Sequence, residues 1–216
     1  MRNNRKNRIL GLSASIIVFS FVFAVFTTSG LSQSQVVQRA AFVEVEYKQQ
    51  ARALYCGPAS VQIILETILD ERVSQGTLRD EVNYVPGRGT KNTNIVKPFQ
   101  SRNITVISYG PYRNQRHLRR SIENGYYSII NIRFDQESNS GHYVVVVGFN
   151  ETGFFVDDPW PEKWSIPVGR HAGENAYISN ELLNELWAFR KNWVLTVSGE
   201  NIVYSVAQNQ EALNWS

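Results

Sequence analysis

The hydrophobic pattern of this chain changes character three times along its length. From Ile9 to Thr28 the sequence ILGLSASIIVFSFVFAVFTT is uncharged and mostly apolar; the basic cluster Arg5-Lys6-Asn7-Arg8 precedes it and a polar Ser/Gln-rich stretch follows. It has no amphipathic face, which sets it apart from a helix of a soluble core. About 20 residues at 1.5 Å each reach roughly 30 Å, the hydrocarbon thickness of a bilayer. The expectation is a signal peptide or N-terminal membrane anchor over residues 1–30, with its positive flank in the cytoplasm and the remainder extracytoplasmic, either secreted or anchored to the membrane. Residues 31–48 read as a linker and a lead-in strand, because Ala41-Phe-Val-Glu-Val-Glu-Tyr47 alternates in polarity.

A helical period takes over next. Val61, Ile64, Leu65, Ile68 and Leu69 recur at the spacing of one helix face, predicting an amphipathic helix from Cys56 to about Asp70. A second helix is predicted over Val73–Tyr84 with Ser74 as its N-cap, then a turn at Pro86-Gly-Arg-Gly89. A third is predicted from Thr90 to Ser101, capped by Thr90 or Thr93, with Ile95, Val96 and Phe99 facing inward.

Beyond residue 103 the period is mostly that of strands: Ile104–Tyr109, Tyr126–Phe134, His142–Phe149, Phe154–Asp158 and Trp193–Val197. A basic, exposed helix is predicted at Asn114–Asn124, an irregular segment at Trp160–Asn175, and a helix capped by Ser179 at Ser179–Phe189. Four consecutive valines, Val144 to Val147, predict a strand buried on both faces, and Asn150–Gly153 turns it into a hairpin partner. Helices first and strands later is an α+β order, an N-terminal helical half packed on a C-terminal antiparallel sheet. Residues 49–200 form the expected domain and 201–216 a C-terminal tail.

Composition narrows the function. The 216 residues, 12% aromatic and 19% charged, suit one globular domain. The net charge of +3 is carried by Arg2, Arg5, Lys6 and Arg8; without them 18 basic residues face 19 acidic ones. The folded part is therefore near neutral, and nucleic-acid binding loses its electrostatic basis. The single cysteine excludes an intramolecular disulfide, and no Cys/His spacing suits zinc, so neither metal nor cofactor is expected.

That cysteine, Cys56, precedes Gly57 and Pro58, residues suited to the first turn of a helix. A thiol at a helix N-terminus meets unpaired N–H groups and the positive end of the dipole, which favour a nucleophilic thiolate. His142 opens the valine strand directly after a polar loop. Asp158 lies at the end of the partner strand, where a turn at 150–153 makes the two near cross-strand neighbours, so a carboxylate could orient the imidazole. Adjacent strand residues face opposite ways, so only one of Asp157 and Asp158 can serve; the register favours Asp158 and leaves Asp157 open. Gln50, six residues before Cys56, could donate to an oxyanion alongside the Cys56 N–H, with Gln49 as a competing choice. His117 and His171 read as structural or exposed.

Taken together, Gln50-x5-Cys56-Gly57-Pro58-Ala59-Ser60, Gly141-His142-Tyr-Val-Val-Val-Val-Gly148 and Asp158-Pro159 resemble the papain-like cysteine peptidases typified by the bacteriocin leader-processing peptidases, and their stand-alone relatives in particular. The resemblance implies a papain-like fold with Cys56 as nucleophile, His142 as general base, Asp158 as its orienting partner and Gln50 as oxyanion donor. It implies a peptide or protein substrate cut at a peptide or isopeptide bond. Transport-coupled members carry membrane-spanning and ATP-hydrolysing domains after the peptidase, and no Walker-type loop is found here; leader cleavage coupled to export is thus not implied. Two alternatives share these residues: an acyltransferase or transpeptidase in which an amine captures the thioester, and a module that binds peptide or cell-wall material without cutting it. Neither the natural substrate nor the oligomeric state is written in the sequence.

Overall fold

The computed structural model describes residues 40–160 and 173–199; the expected export segment, the C-terminal tail and His171 lie outside them. Among the described residues no helix is long and apolar enough to cross a membrane. In chain order the elements are β1 (Ala41–Phe42), α1 (Cys56–Leu69), α2 (Gln75–Glu81), α3 (Asn92–Ile95), α4 (Lys97–Gln100), β2 (Val106–Gly110), α5 (Gln115–Glu123), β3 (Tyr126–Arg133), β4 (Gly141–Phe149), β5 (Gly153–Asp157), β6 (Ala176–Ser179), α6 (Asn180–Ala188) and β7 (Val194–Ser198).

The valine run in β4 explains the layering. Side chains on a strand alternate between faces. Val145 and Val147 join Ile129, Tyr143 and Leu195 beneath the helical half, where Ile64 and Leu65 of α1, Leu78 of α2 and Phe99 of α4 cover them. Val144 and Val146 enter the opposite layer with Ile130, Ile132 and Val194, under Leu118 and Ile122 of α5 and Leu183 and Trp187 of α6. The fold is α+β as expected, and the sheet has helices on both faces. All pairings are antiparallel, in the order β2-β7-β3-β4-β5-β6, with β1 paired to the end of β4.

Several boundaries move for identifiable reasons. The expected helix over residues 90–101 is two short ones, because Pro98 cannot donate to the carbonyl of Asn94 and its ring crowds that position. Lys91, rather than Thr90 or Thr93, stands at the N-cap of α3 and makes no side-chain cap bond. Ile95, Val96 and Phe99 are nevertheless all buried. α2 is shorter than expected, though Ser74 caps it, its Oγ accepting from the Thr77 N–H at 3.0 Å. α5 is not simply an exposed basic helix: His117, Leu118, Ser121 and Ile122 form a buried face. Ala41 and Phe42 alone form β1, and β6 emerges at the end of a segment that reads as irregular.

Since α1 holds the helical half on the sheet through side chains such as the fully buried Ile64, Ile64→Ala is expected to destabilise the domain by roughly 2–5 kcal/mol. Urea unfolding followed by circular dichroism measures this directly.

Candidate active site

Cys56 is the first residue of α1, and Tyr55 before it has non-helical backbone and makes no side-chain cap. The first-turn N–H groups of a helix have no intrahelical acceptor, so donors gather around this thiol. Gly57 lets the helix start come close to a neighbouring loop: a Cβ there would lie 3.0 Å from Cβ and Oγ1 of Thr90. Pro58, third in the helix, gives up an N–H that would have no partner there.

His142 is the second residue of β4 and is 2% exposed. Its Nε2 lies 2.6 Å from Oδ1 of Asp158, which is 1% exposed. The hairpin register differs slightly from the sequence expectation. Val145 pairs with Asp157 and Val146 with Val156, and an irregularity follows between Val146 and Gly148. Extending that pairing sets Asp158 opposite Val144, a diagonal rather than direct neighbour of His142, still within reach of a ring. Asp158 is held from several sides. Its Oδ1 also accepts from the Trp160 N–H at 2.7 Å, its own N–H donates to Gly173, and its carbonyl accepts from the Tyr47 hydroxyl at 2.9 Å. Its Oδ2 is buried without a hydrogen-bond partner.

Asp157 takes a different part. Its Oδ1 accepts from the Asn175 N–H at 2.9 Å. Burial, joined by the charges of Glu174 and Asp158, pushes its pKa up to about 6.

Cys56 is close enough to the His142 imidazole to act on its protonation, and Nε2 is the ring nitrogen that meets Asp158. Burial alone would lower the His142 pKa; the charge and hydrogen bond of Asp158, with those of Cys56, outweigh it and push the pKa up to about 10. Phe134 packs edge-on to the ring at 5.2 Å. The hydrogen-bonded pair from the start of β4 and the end of β5 thus has the first residue of α1 as a neighbour.

Cys56 borders a cleft of about 350 Å³, lined also by Gly89, Asn131, Gly141 and Tyr143 among others. One wall is a polar network that sequence reading did not find. The Tyr143 hydroxyl reaches Oδ1 of Asn92 at 2.6 Å and the Thr90 carbonyl at 3.1 Å, and Nδ2 of Asn131 donates to the same Asn92 oxygen at 2.6 Å. Burial first, and then the neighbouring Cys56, raise the Tyr143 pKa well above the usual phenol range. The only local signal was the position of Tyr143 beside His142.

Gln50 lines a second depression with Pro159 and Trp160. Its N–H donates to the Pro159 carbonyl at 2.9 Å and its Nε2 to the Arg52 carbonyl at 2.6 Å, while its Oε1 is buried without a partner. Gln49 is exposed, and its carbonyl accepts from Gln75. His117 is buried against Thr196 at 3.1 Å, its pKa lowered to about 4 by burial and the charge of Arg113. Among the described residues no three His, Cys, Asp or Glu side chains are grouped to hold a metal.

Three solved structures show the same fold at low sequence identity. A double glycine motif protease from an AMS/PCAT transporter, in complex with the leader peptide, shares 18% identity at a TM-score of 0.54, over 73% of this chain and 92% of its own. A C39-like peptidase from Bacillus anthracis shares 11% at a TM-score of 0.57, over 74% and 98%. The peptidase domain of Streptococcus ComA, a bi-functional ABC transporter involved in a quorum sensing pathway, shares 17% at a TM-score of 0.52, over 71% and 96%. No curated protein matches the chain. The sequence profile of the Peptidase_C39 like family matches residues 42–181, a span that takes in the helical half, the hairpin of β4 and β5, and Cys56, His142 and Asp158. On that match this chain belongs to the Peptidase_C39 like family, whose members have a papain-like cysteine peptidase fold.

Proposed function

We propose that this chain is an exported thiol hydrolase that cuts a peptide or isopeptide bond through an acyl-enzyme on Cys56. The observation that carries this reading is the buried His142–Asp158 hydrogen bond, with Cys56 neighbouring the same imidazole and lining the cleft. In the first half-reaction the thiol proton resides on His142 and Sγ attacks the substrate carbonyl carbon. The oxyanion accepts from the Cys56 N–H at the start of α1 and from the Gln50 amide, which exchanges its bond to Arg52 for one to the substrate. His142 returns the proton to the leaving amine. It then takes one from the water that attacks the thioester, and returns it to Sγ as the bond breaks. Asp158 holds the ring in place.

Peptide is the substrate class favoured by family membership, and one relative of the same fold is a protease seen with a leader peptide. Location outside the cytoplasm is the reading that the basic and apolar segment at residues 5–28 supports.

Iodoacetamide is expected to label Cys56 near neutral pH, with no labelling in Cys56→Ala and slower labelling in His142→Ala; a Cys56 that stays unlabelled contradicts the reading. On any peptide that the wild type cleaves, Asp158→Asn is expected to lower kcat/KM by roughly 10²- to 10⁴-fold with the fold retained, as judged by circular dichroism.

Asp157→Asn separates the two neighbouring carboxylates. The Asp157 pKa rises from 3.8 unfolded to about 6 folded. Between those values the folded state holds a proton that the unfolded chain has lost, so the group takes away stability as pH rises through this window. The variant is expected to keep turnover and to raise Tm at pH 7, with the gain disappearing below about pH 4. Thermal melts at pH 4 and pH 7 with a parallel activity assay check both halves.

A further inference from the structure

The cleft beside Cys56 is lined by three cations, Arg88, Lys91 and Arg190, and by no aspartate or glutamate. Three cations elsewhere in the fold have carboxylate partners: Lys48 meets Glu46 and Glu66, Arg79 meets Asp80, and Arg102 meets Glu81. Among the described residues none of the three cleft cations forms an ion pair. In a folded part that is near neutral overall, this is a local excess of positive charge.

Arg190 is the most constrained of the three. Its guanidinium lies over the Phe189 ring at 4.7 Å, its Nη2 makes one long bond to the Asn139 carbonyl at 3.4 Å, and its Nε is buried without a hydrogen-bond partner. Gly141 makes this placement possible. A Cβ at that position would fall 2.7 Å from Nε and Nη2 of Arg190 and 2.6 Å from Oδ1 of Asn131, which is also buried and without a partner. The missing side chain lets the guanidinium edge rest on the start of β4, one residue from His142. Arg190 lines the cleft, and a guanidinium can donate two parallel bonds to a carboxylate. Burial lowers the Arg190 pKa, and the neighbouring Tyr143 opposes that shift. Arg88 and Lys91 are exposed and extend the positive field toward the solvent.

Building on the reading of Cys56 as nucleophile, we propose that Arg190, with Arg88 and Lys91, forms a carboxylate-binding subsite of the cleft, and that the substrate is a peptide presenting a carboxylate close to the scissile bond. An acidic side chain and a free C-terminus supply the same chemistry, and both are carried by a peptide.

The test compares alkylation of Cys56 in the full chain by iodoacetate and by iodoacetamide. Each forms an S–C bond and releases iodide, and they differ in one negative charge. The rate ratio, divided by the same ratio for glutathione, is expected to favour iodoacetate by about tenfold, the effect of a single good charge-assisted contact on a barrier, and to fall as salt rises. Because the ratio is taken within each protein, changes in general thiol reactivity cancel. Arg190→Gln is expected to bring it near the glutathione value. The double variant Arg88→Gln with Lys91→Gln, at exposed positions that pose little risk to folding, lowers it in part. Arg72→Gln, beyond the far end of α1, leaves it at the wild-type value.

A ratio equal to that of glutathione in the wild type, or one unmoved by both cleft variants, overturns the subsite while leaving the nucleophile reading intact. A Cys56 inert to both reagents sinks the nucleophile reading and the subsite with it. Protection of Cys56 from iodoacetamide then identifies the source. Protection by an acetylated, amidated Gly-Glu-Gly peptide assigns an acidic side chain; protection by acetylated Gly-Gly-Gly with a free C-terminus assigns the terminal carboxylate. Equal protection by the uncharged amidated Gly-Gly-Gly, or none by either charged peptide, counts against the subsite.

Discussion

The buried hydrogen bond between His142 and Asp158 is the interaction on which the proposed chemistry depends. Removing an ionisable pair from water costs several kcal/mol per ion, and only short, well-aligned contacts offset it. The 2.6 Å separation meets that requirement, and the carboxylate is further held by the Trp160 N–H. With Nε2 bonded to Asp158, Nδ1 is the nitrogen that the proposed reaction assigns to the thiol. A single buried contact therefore sets both the charge and the direction of the imidazole.

The surrounding fold delivers the partners of that contact from separate elements. The two-sided burial of β4 fixes the strand that carries His142, and α1 packs on the same sheet with its N-terminus, Cys56, near the strand's start. A glycine adjoins each of Cys56 and His142. Gly57 lets the helix approach the Thr90 loop, and Gly141 leaves room for Asn131 and Arg190. Each is a place where a side chain would fill space that the cleft or its walls use. The loop bearing Gln50 is tied to the segment after β5 by its bond to Pro159, so the prospective oxyanion donor and the orienting carboxylate share one support.

Local sequence carried much of this. The period of α1, the cap at Ser74 and the four consecutive valines predict elements that the structure contains, because each depends on residues close together in the chain. Pro98 was a readable stop signal inside the expected third helix, and its missing donor divides α3 from α4. The diagonal placement of Asp158 was less readable, since it follows from an irregularity between Val146 and Gly148, where the Phe42 ring occupies the space beside a glycine. The link from Tyr143 through Asn92 to Asn131 joins residues 39 and 51 positions apart, and no spacing rule reports contacts that only the tertiary fold creates. The position of Arg190 beside the cleft is of the same kind.

Nitrogen-15 NMR of the His142 ring, identified by comparison with the His142→Ala variant, tests the central claim most directly. This account predicts a doubly protonated imidazolium at pH 7 that loses its proton only toward pH 10, while His117, held near 4, is neutral at pH 7. It also predicts that Asp158→Asn shifts the His142 titration to lower pH. A neutral His142 ring at pH 7 in the wild type, or one indifferent to Asp158→Asn, would contradict it.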